Sequence, residues 1–278
     1  MTGTLRRSRQ LSAVTGWALP GWSAGPQAGD DLFAAAVDAG YEGIQVFLPD
    51  QAAAARDAGL RHVSAISPAR SGAEAEALLG MWAGGGAESL TMHLGTGFET
   101  RDEALALVES VLKASDRHGV PVLVETHRAT LFQDPARTLE LLATFPELRF
   151  TADLSHWYTG VELVYGDLDA KLAALQPVFE RCRMVHGRIS DPGCIQVVVA
   201  DDDRSTHVEH FRAMWASVLA GAAASGELDV LPFVVELLPA SSGYARTVDR
   251  GQGPEEEVDR WTQADVLWRI FDALEVPA

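Results

Sequence analysis

The chain has 278 residues, of which 47% are hydrophobic and 22% charged, so disorder is not the default and one large core is within reach. Its formal net charge is −17, and Lys113 and Lys171 are its only lysines, a balance that disfavours nucleic acid or any other polyanion as a partner. Two cysteines, Cys182 and Cys194, are too few for a disulfide framework. Residues Met1 to Gln10 carry three arginines without an apolar stretch, and no run approaches the roughly 18 apolar residues of a membrane span, so a cytoplasmic protein without a membrane partner is expected.

Short apolar runs alternate with amphipathic stretches throughout, the pattern of repeated βα units. Strands are expected at 11–16, 43–47, 61–66, 89–93, 121–125, 149–153, 183–188 and 232–237, eight in all. Between them lie helix signals: Asp30, Leu32 and Phe33 open a helix that Gly40 closes, and Thr100 with Glu103 forms a capping box for a helix ended by Gly119. Asp134 and Pro135 read as N-cap and first helical residue, while Thr206 with Glu209 and Thr262 with Asp265 repeat the opening pattern. No glycine-rich phosphate turn follows the first strand, which argues against an open doubly wound sheet. The expected architecture is one (β/α)8 TIM barrel over residues 1–278. Two connections are long, 189–204 and 238–255, the latter with Ser241, Ser242, Gly243, Gly251 and Gly253, and both follow strand ends on the face where barrels place binding segments.

Ionisable residues fall where apolar strands end. Glu125 closes one run, Asp153 the next, His186 sits late in the seventh and Glu236 ends the eighth. Neighbouring strand ends converge on one rim of a barrel, and three carboxylates gathered there repel unless a cation lies between them. Glu125, Asp153, His186 and Glu236 are therefore the expected ligands of one divalent metal ion. An oxygen-rich set with one imidazole suits Mn²⁺ first, with Mg²⁺, Fe²⁺, Co²⁺ or Zn²⁺ as alternatives. His93 ends the fourth strand, His127 follows Glu125 by two residues, His156 follows Asp153 by three and Arg188 follows His186 by two, so all four are expected to hold substrate, with Trp17 and Trp157 walling the pocket. His62 begins its strand and belongs on the opposite, stability face, whereas His207 and His210 read as a solvated helix face.

These tokens resemble the xylose isomerase-like barrel superfamily: Ala39-Gly40-Tyr41-Glu42-Gly43-Ile44-Gln45, Val124-Glu125-Thr126-His127, Asp153-Leu154-Ser155-His156, Val185-His186-Gly187-Arg188 and Val235-Glu236. The group includes sugar isomerases and epimerases, inosose dehydratases and the endonuclease IV group. The resemblance to its ketose 3-epimerases implies that Glu125 and Glu236 are also acid and base, and that His156 and Arg188 contact substrate. Gln45 stands where many members have glutamate, and His-Gly-Arg-Ile-Ser is not the usual epimerase spelling. The expected function is metal-dependent isomerisation or epimerisation of a keto-sugar or cyclic polyol through an enediolate. A dehydratase on the same barrel is the runner-up, ahead of a DNA-repair endonuclease or a non-catalytic sugar-binding protein. The partner is a small sugar or polyol, with a homo-oligomer as an open option.

Overall fold

A computed structural model describes residues 5–249, 251 and 254–275; Gly253 of the last long loop lies outside these. Eight parallel strands close into a barrel in sequential order: β1 Arg6–Ser12, β2 Gly43–Val46, β3 His62–Ala69, β4 Leu90–Leu94, β5 Val122–Glu125, β6 Phe150–Ala152, β7 Cys182–Gly187 and β8 Val230–Val235. β1 closes the ring against β8, with Gln10 beside Val234 and Leu11 beside Val235. A short antiparallel hairpin, β9 Thr247–Asp249 and β10 Pro254–Glu256, decorates the loop after β8. Among the described residues, no helix is long and apolar enough to cross a membrane.

The first strand lies five residues before its expected position. Residues Ala13–Gly16, the last four of the expected run, form a 3₁₀ turn at the top of β1 instead. The reason is that β1 faces the barrel interior with Ser8, Gln10 and Ser12, all buried, so its alternation is polar inward and lacks an apolar signature. Two helix starts also move. The helix Thr206–Ser225 begins after Ser205, and the helix Arg260–Asp272 begins after Asp259, whose carboxylate accepts from Trp261 N–H, Thr262 O–H, Ser23 O–H and Ala24 N–H. Asp259 wins over Thr262 because its two oxygens satisfy the helix start and the loop after β1 at once. The box of Thr100 and Glu103 forms as expected, with Gly119 left-handed at the far end, and Asp134 caps the helix Pro135–Thr144.

The pleat sorts each strand into two faces. Outward residues such as Leu11, Val124, Ala152, Val185 and Phe233 join one continuous core with the helices, where Phe233 stacks on Phe271 at 4.2 Å. Inward residues form layers. A small apolar cluster of Leu123, Met184 and Val234 sits inside the barrel, next to a polar chain in which Gln45 donates to Thr91 (3.1 Å) and Thr91 shares a hydrogen bond with Thr151 (2.8 Å). Two residues further along the same strands come His93, Glu125, Asp153, His186 and Glu236. Alternation therefore aims these five side chains into the barrel mouth above that floor. His62 lies at the opposite end of β3, against Glu88 at 3.1 Å.

Candidate metal centre

Each member of the cluster is delivered by a strand end. Glu125 is the last residue of β5, and His186 the penultimate residue of β7. Asp153 directly follows β6 and caps the helix Leu154–Gly160, so one carboxylate oxygen accepts from Ser155 while the other points to the cluster. Glu236 directly follows β8. Their ligand-type atoms all lie within 4.8 Å of one another, and all four residues are buried. His186 Nδ1 stands 3.4 Å from Glu236, 3.5 Å from Glu125 and 4.0 Å from Asp153.

Three buried carboxylates in so small a space require positive charge. Arg188, two residues beyond His186 and hence aimed the same way, supplies one guanidinium: Nη2 donates to Asp153 and, at 2.7 Å, to Glu236. Burial opposes ionisation of Asp153, but Arg188 and His156 outweigh it and hold the carboxyl down at about 2. Burial likewise works against a charged His186, yet Glu125 and Glu236 prevail and hold its pKa up to about 10. Glu125 is kept well below the usual carboxylate range, against its burial, by His93 and His186.

The donor set fits a divalent ion. Glu125 Oε1 and both ring nitrogens of His186 are buried without a well-formed hydrogen bond, a costly state that a cation bound among them relieves. Carboxylates with a single imidazole are hard, oxygen-rich ligands suited to an ion with open coordination positions. Glu125, Asp153, His186 and Glu236 are the residues that could hold it.

The other expected residues divide. His93 Nε2 lies 2.8 Å from Glu125; the His93 ring stacks on His127 at 4.2 Å, and His127 meets His156 tilted at 3.8 Å, so the three line one side of the site. Within that wall burial presses His156 well below its ordinary pKa and lowers His127 too, which favours neutral rings. Trp17 stacks on Phe47 at 4.8 Å on the loops after β1 and β2, half exposed. Trp157 does not wall the site: it is fully buried and its indole N–H donates to the Phe132 carbonyl at 2.9 Å. Its place one residue past His156 turns it away on the helix Leu154–Gly160.

Two residues escaped the sequence reading. Tyr244, from the loop after β8, brings its hydroxyl to 3.3 Å from His127 Nε2 and its ring edge-on to His156 at 6.1 Å. The guanidinium of Arg128 lies 4.4 Å from the centre of that ring, and that of Arg188 5.2 Å. The loop reaches this position because it is zipped to the loop after β7. The Gln196 amide exchanges hydrogen bonds with the backbone of Leu238 (3.0 and 2.8 Å), Arg246 N–H donates to Gln196 O, and Arg246 pairs with Asp191. Only the lengths of the two loops hinted at this.

No protein-family model and no curated protein matches the sequence. Solved structures do resemble the chain. A D-tagatose 3-epimerase-like protein aligns at 11% identity and a TM-score of 0.60 over 97% of this chain and 98% of its own. The IOLI protein with a binding zinc atom aligns at 10% identity and 0.57, over 98% and 100%. A xylose isomerase-like TIM barrel protein from Mycobacterium smegmatis in complex with magnesium aligns at 12% identity and 0.52, over 99% and 98%. At such identities the likeness is one of fold: the chain shares with these structures a closed barrel of eight parallel strands and helices.

Proposed function

We propose that the protein is a divalent-metal-dependent isomerase or epimerase acting on a keto-sugar or cyclic polyol. The observation that carries this reading is the convergence of Glu125, Asp153, His186 and Glu236 within 4.8 Å at the mouth of the barrel. Structures of the same fold that hold zinc or magnesium support a metal-binding reading, and Mn²⁺ is the first ion to test. A bound divalent ion supplies Lewis acidity to a carbonyl oxygen and its neighbouring hydroxyl, lowering the pKa of the C–H between them.

The chain's own groups do the rest. Glu125 and Glu236 come from β5 and β8, three strands apart around the ring, so they approach the shared cluster from different sides. One removes the proton α to the carbonyl to give an enediolate, and the other returns a proton to the second carbon or to the opposite face. His93, 2.8 Å from Glu125, steadies that carboxylate and exchanges a proton with it. His156 and Arg188 orient substrate oxygens, while the ring of Tyr244 narrows the entrance and limits water.

The test is metal analysis of the purified protein followed by deuterium wash-in from D₂O across ketoses and inososes, with and without Mn²⁺. Metal-dependent exchange that Glu125→Gln lowers by roughly 10²-fold or more is expected. Loss of water from the substrate, leaving a dehydrated product in place of a rearranged sugar, would make the reaction a dehydration. No exchange with any substrate of the panel would overturn the proposal.

A further inference from the structure

We propose that the substrate carries an anionic oxygen group, a carboxylate or a phosphate ester, at the end remote from the reacting carbons, and that Arg128 receives it at the mouth of the site. This rests on the isomerase reading above for which end reacts. Glu125, Asp153 and Glu236 bring three negative charges, which Arg188 and one divalent ion neutralise in full. Counted over these groups, the carboxylates of the loaded site are matched in charge.

Arg128 lies outside that balance. Its neighbour His127 belongs to the imidazole wall, and its guanidinium lies over Tyr244, whose hydroxyl reaches His127. The side chain is exposed, and among the described residues it joins no ion pair. Arg6 and Arg61 are tied to Glu42, Arg117 to Glu76 and Arg269 to Asp201, whereas Arg128 stands at the site without a carboxylate partner among the described residues. An uncompensated guanidinium beside a charge-balanced site is an anion receptor, with a planar fork of donors that matches carboxylate or phosphate oxygens.

Backbone geometry supports the same assignment. Ala129, next in sequence, has φ 57°, a left-handed conformation that side-chain-bearing residues rarely adopt. The turn is held there by Thr130 O–H donating to His127 O at 2.6 Å and by Ala129 N–H donating to Gln133 Oε1 at 3.1 Å. Arg128 is thus presented from a rigid turn, with its ring partner Tyr244 secured by the zipped loops, and little ordering is left for binding to accomplish.

The experiment measures binding of three matched probes to the Mn²⁺-loaded protein by calorimetry: D-fructose, D-fructuronate and D-fructose 6-phosphate, which differ only at C6. At least one charged probe is expected to bind roughly tenfold or more tightly than D-fructose, with an affinity that falls as salt is raised. The stronger of the two charged probes identifies the group. Arg128→Gln is expected to abolish the preference while metal content stays at one equivalent. Equal binding of all three, no binding by any at millimolar concentration, or a preference that survives in Arg128→Gln would overturn the assignment. Deuterium wash-in on the same probes separates the two readings. Exchange without charge preference leaves the isomerase and removes the anion; charge-selective binding without exchange does the reverse.

Discussion

Replacing Arg188 by methionine tests how the carboxylates of the site are balanced. The guanidinium is 1% exposed and bridges Asp153 and Glu236, so Arg188→Met leaves two buried carboxylates facing each other beside Glu125 with only histidines for company. Removing one member of a buried ion pair costs about 3–5 kcal/mol, since the remaining charge stays desolvated and unpaired. For a chain of this size that corresponds to a fall of roughly 5–9 °C in melting temperature. The carboxyls respond by holding protons. Asp153, held down at about 2 in the wild type, rises in the variant above its unfolded value of roughly 4, so the loss grows from pH 5 to pH 8. A divalent ion then has more to do, because it meets three uncompensated negative charges in place of two. Urea unfolding with EDTA and with Mn²⁺, at both pH values, reads all of this out. The metal-free variant should be strongly destabilised at pH 8, and Mn²⁺ should stabilise it more than it stabilises the wild type. If the metal-free variant unfolds within about 1 kcal/mol of the wild type, or gains less from Mn²⁺, the charge balance drawn for this site is wrong.

Other outcomes follow from the same geometry. His186 is held up to about 10 without metal, so the apo protein keeps a proton there at neutral pH that an incoming ion must displace. A raised folded pKa gives the apo form stability that is complete below about 6.5 and is lost as pH rises through about 10. Metal affinity should accordingly climb up to about tenfold per pH unit between 7 and 9, with close to one proton released per ion; calorimetry in buffers of different ionisation enthalpy measures it. A methyl group at Gly187 would come within 2.6 Å of the Phe233 ring, so Gly187→Ala should cost roughly 1–3 kcal/mol and weaken metal binding by shifting His186 and Arg188. Asp259→Ala removes the acceptor of four hydrogen bonds at the start of the last helix and should lower stability by about 2 kcal/mol, seen in urea unfolding, with metal binding intact.

Local chemistry made much of the barrel readable. Seven of the eight strands lie close to where apolar runs place them, because their outward faces pack against helices and must be apolar. β1 was displaced because its inward side chains are Ser8, Gln10 and Ser12, and polar filling of a barrel interior leaves no apolar alternation to follow. Strand-end position also picked out Glu125, Asp153, His186 and Glu236, since a residue two steps beyond an inward one points inward too. That rule reaches no further than a strand. Trp157 sits on a helix, where one residue changes direction by about 100°, and so it entered the core rather than the pocket.

Sequence alone therefore determined the eightfold repeat and the direction of the side chains that end its strands, because both arise from periodicities within a few residues. Tertiary structure alone decided the closing distances among the four clustered residues, the pairing of Arg188 with Asp153 and Glu236, and the arrival of Tyr244 beside His127 and Arg128. Tyr244 and His127 are 117 residues apart and meet through loops that carry no repeating pattern. Their positions follow from loop-to-loop hydrogen bonds that exist only once the barrel has closed.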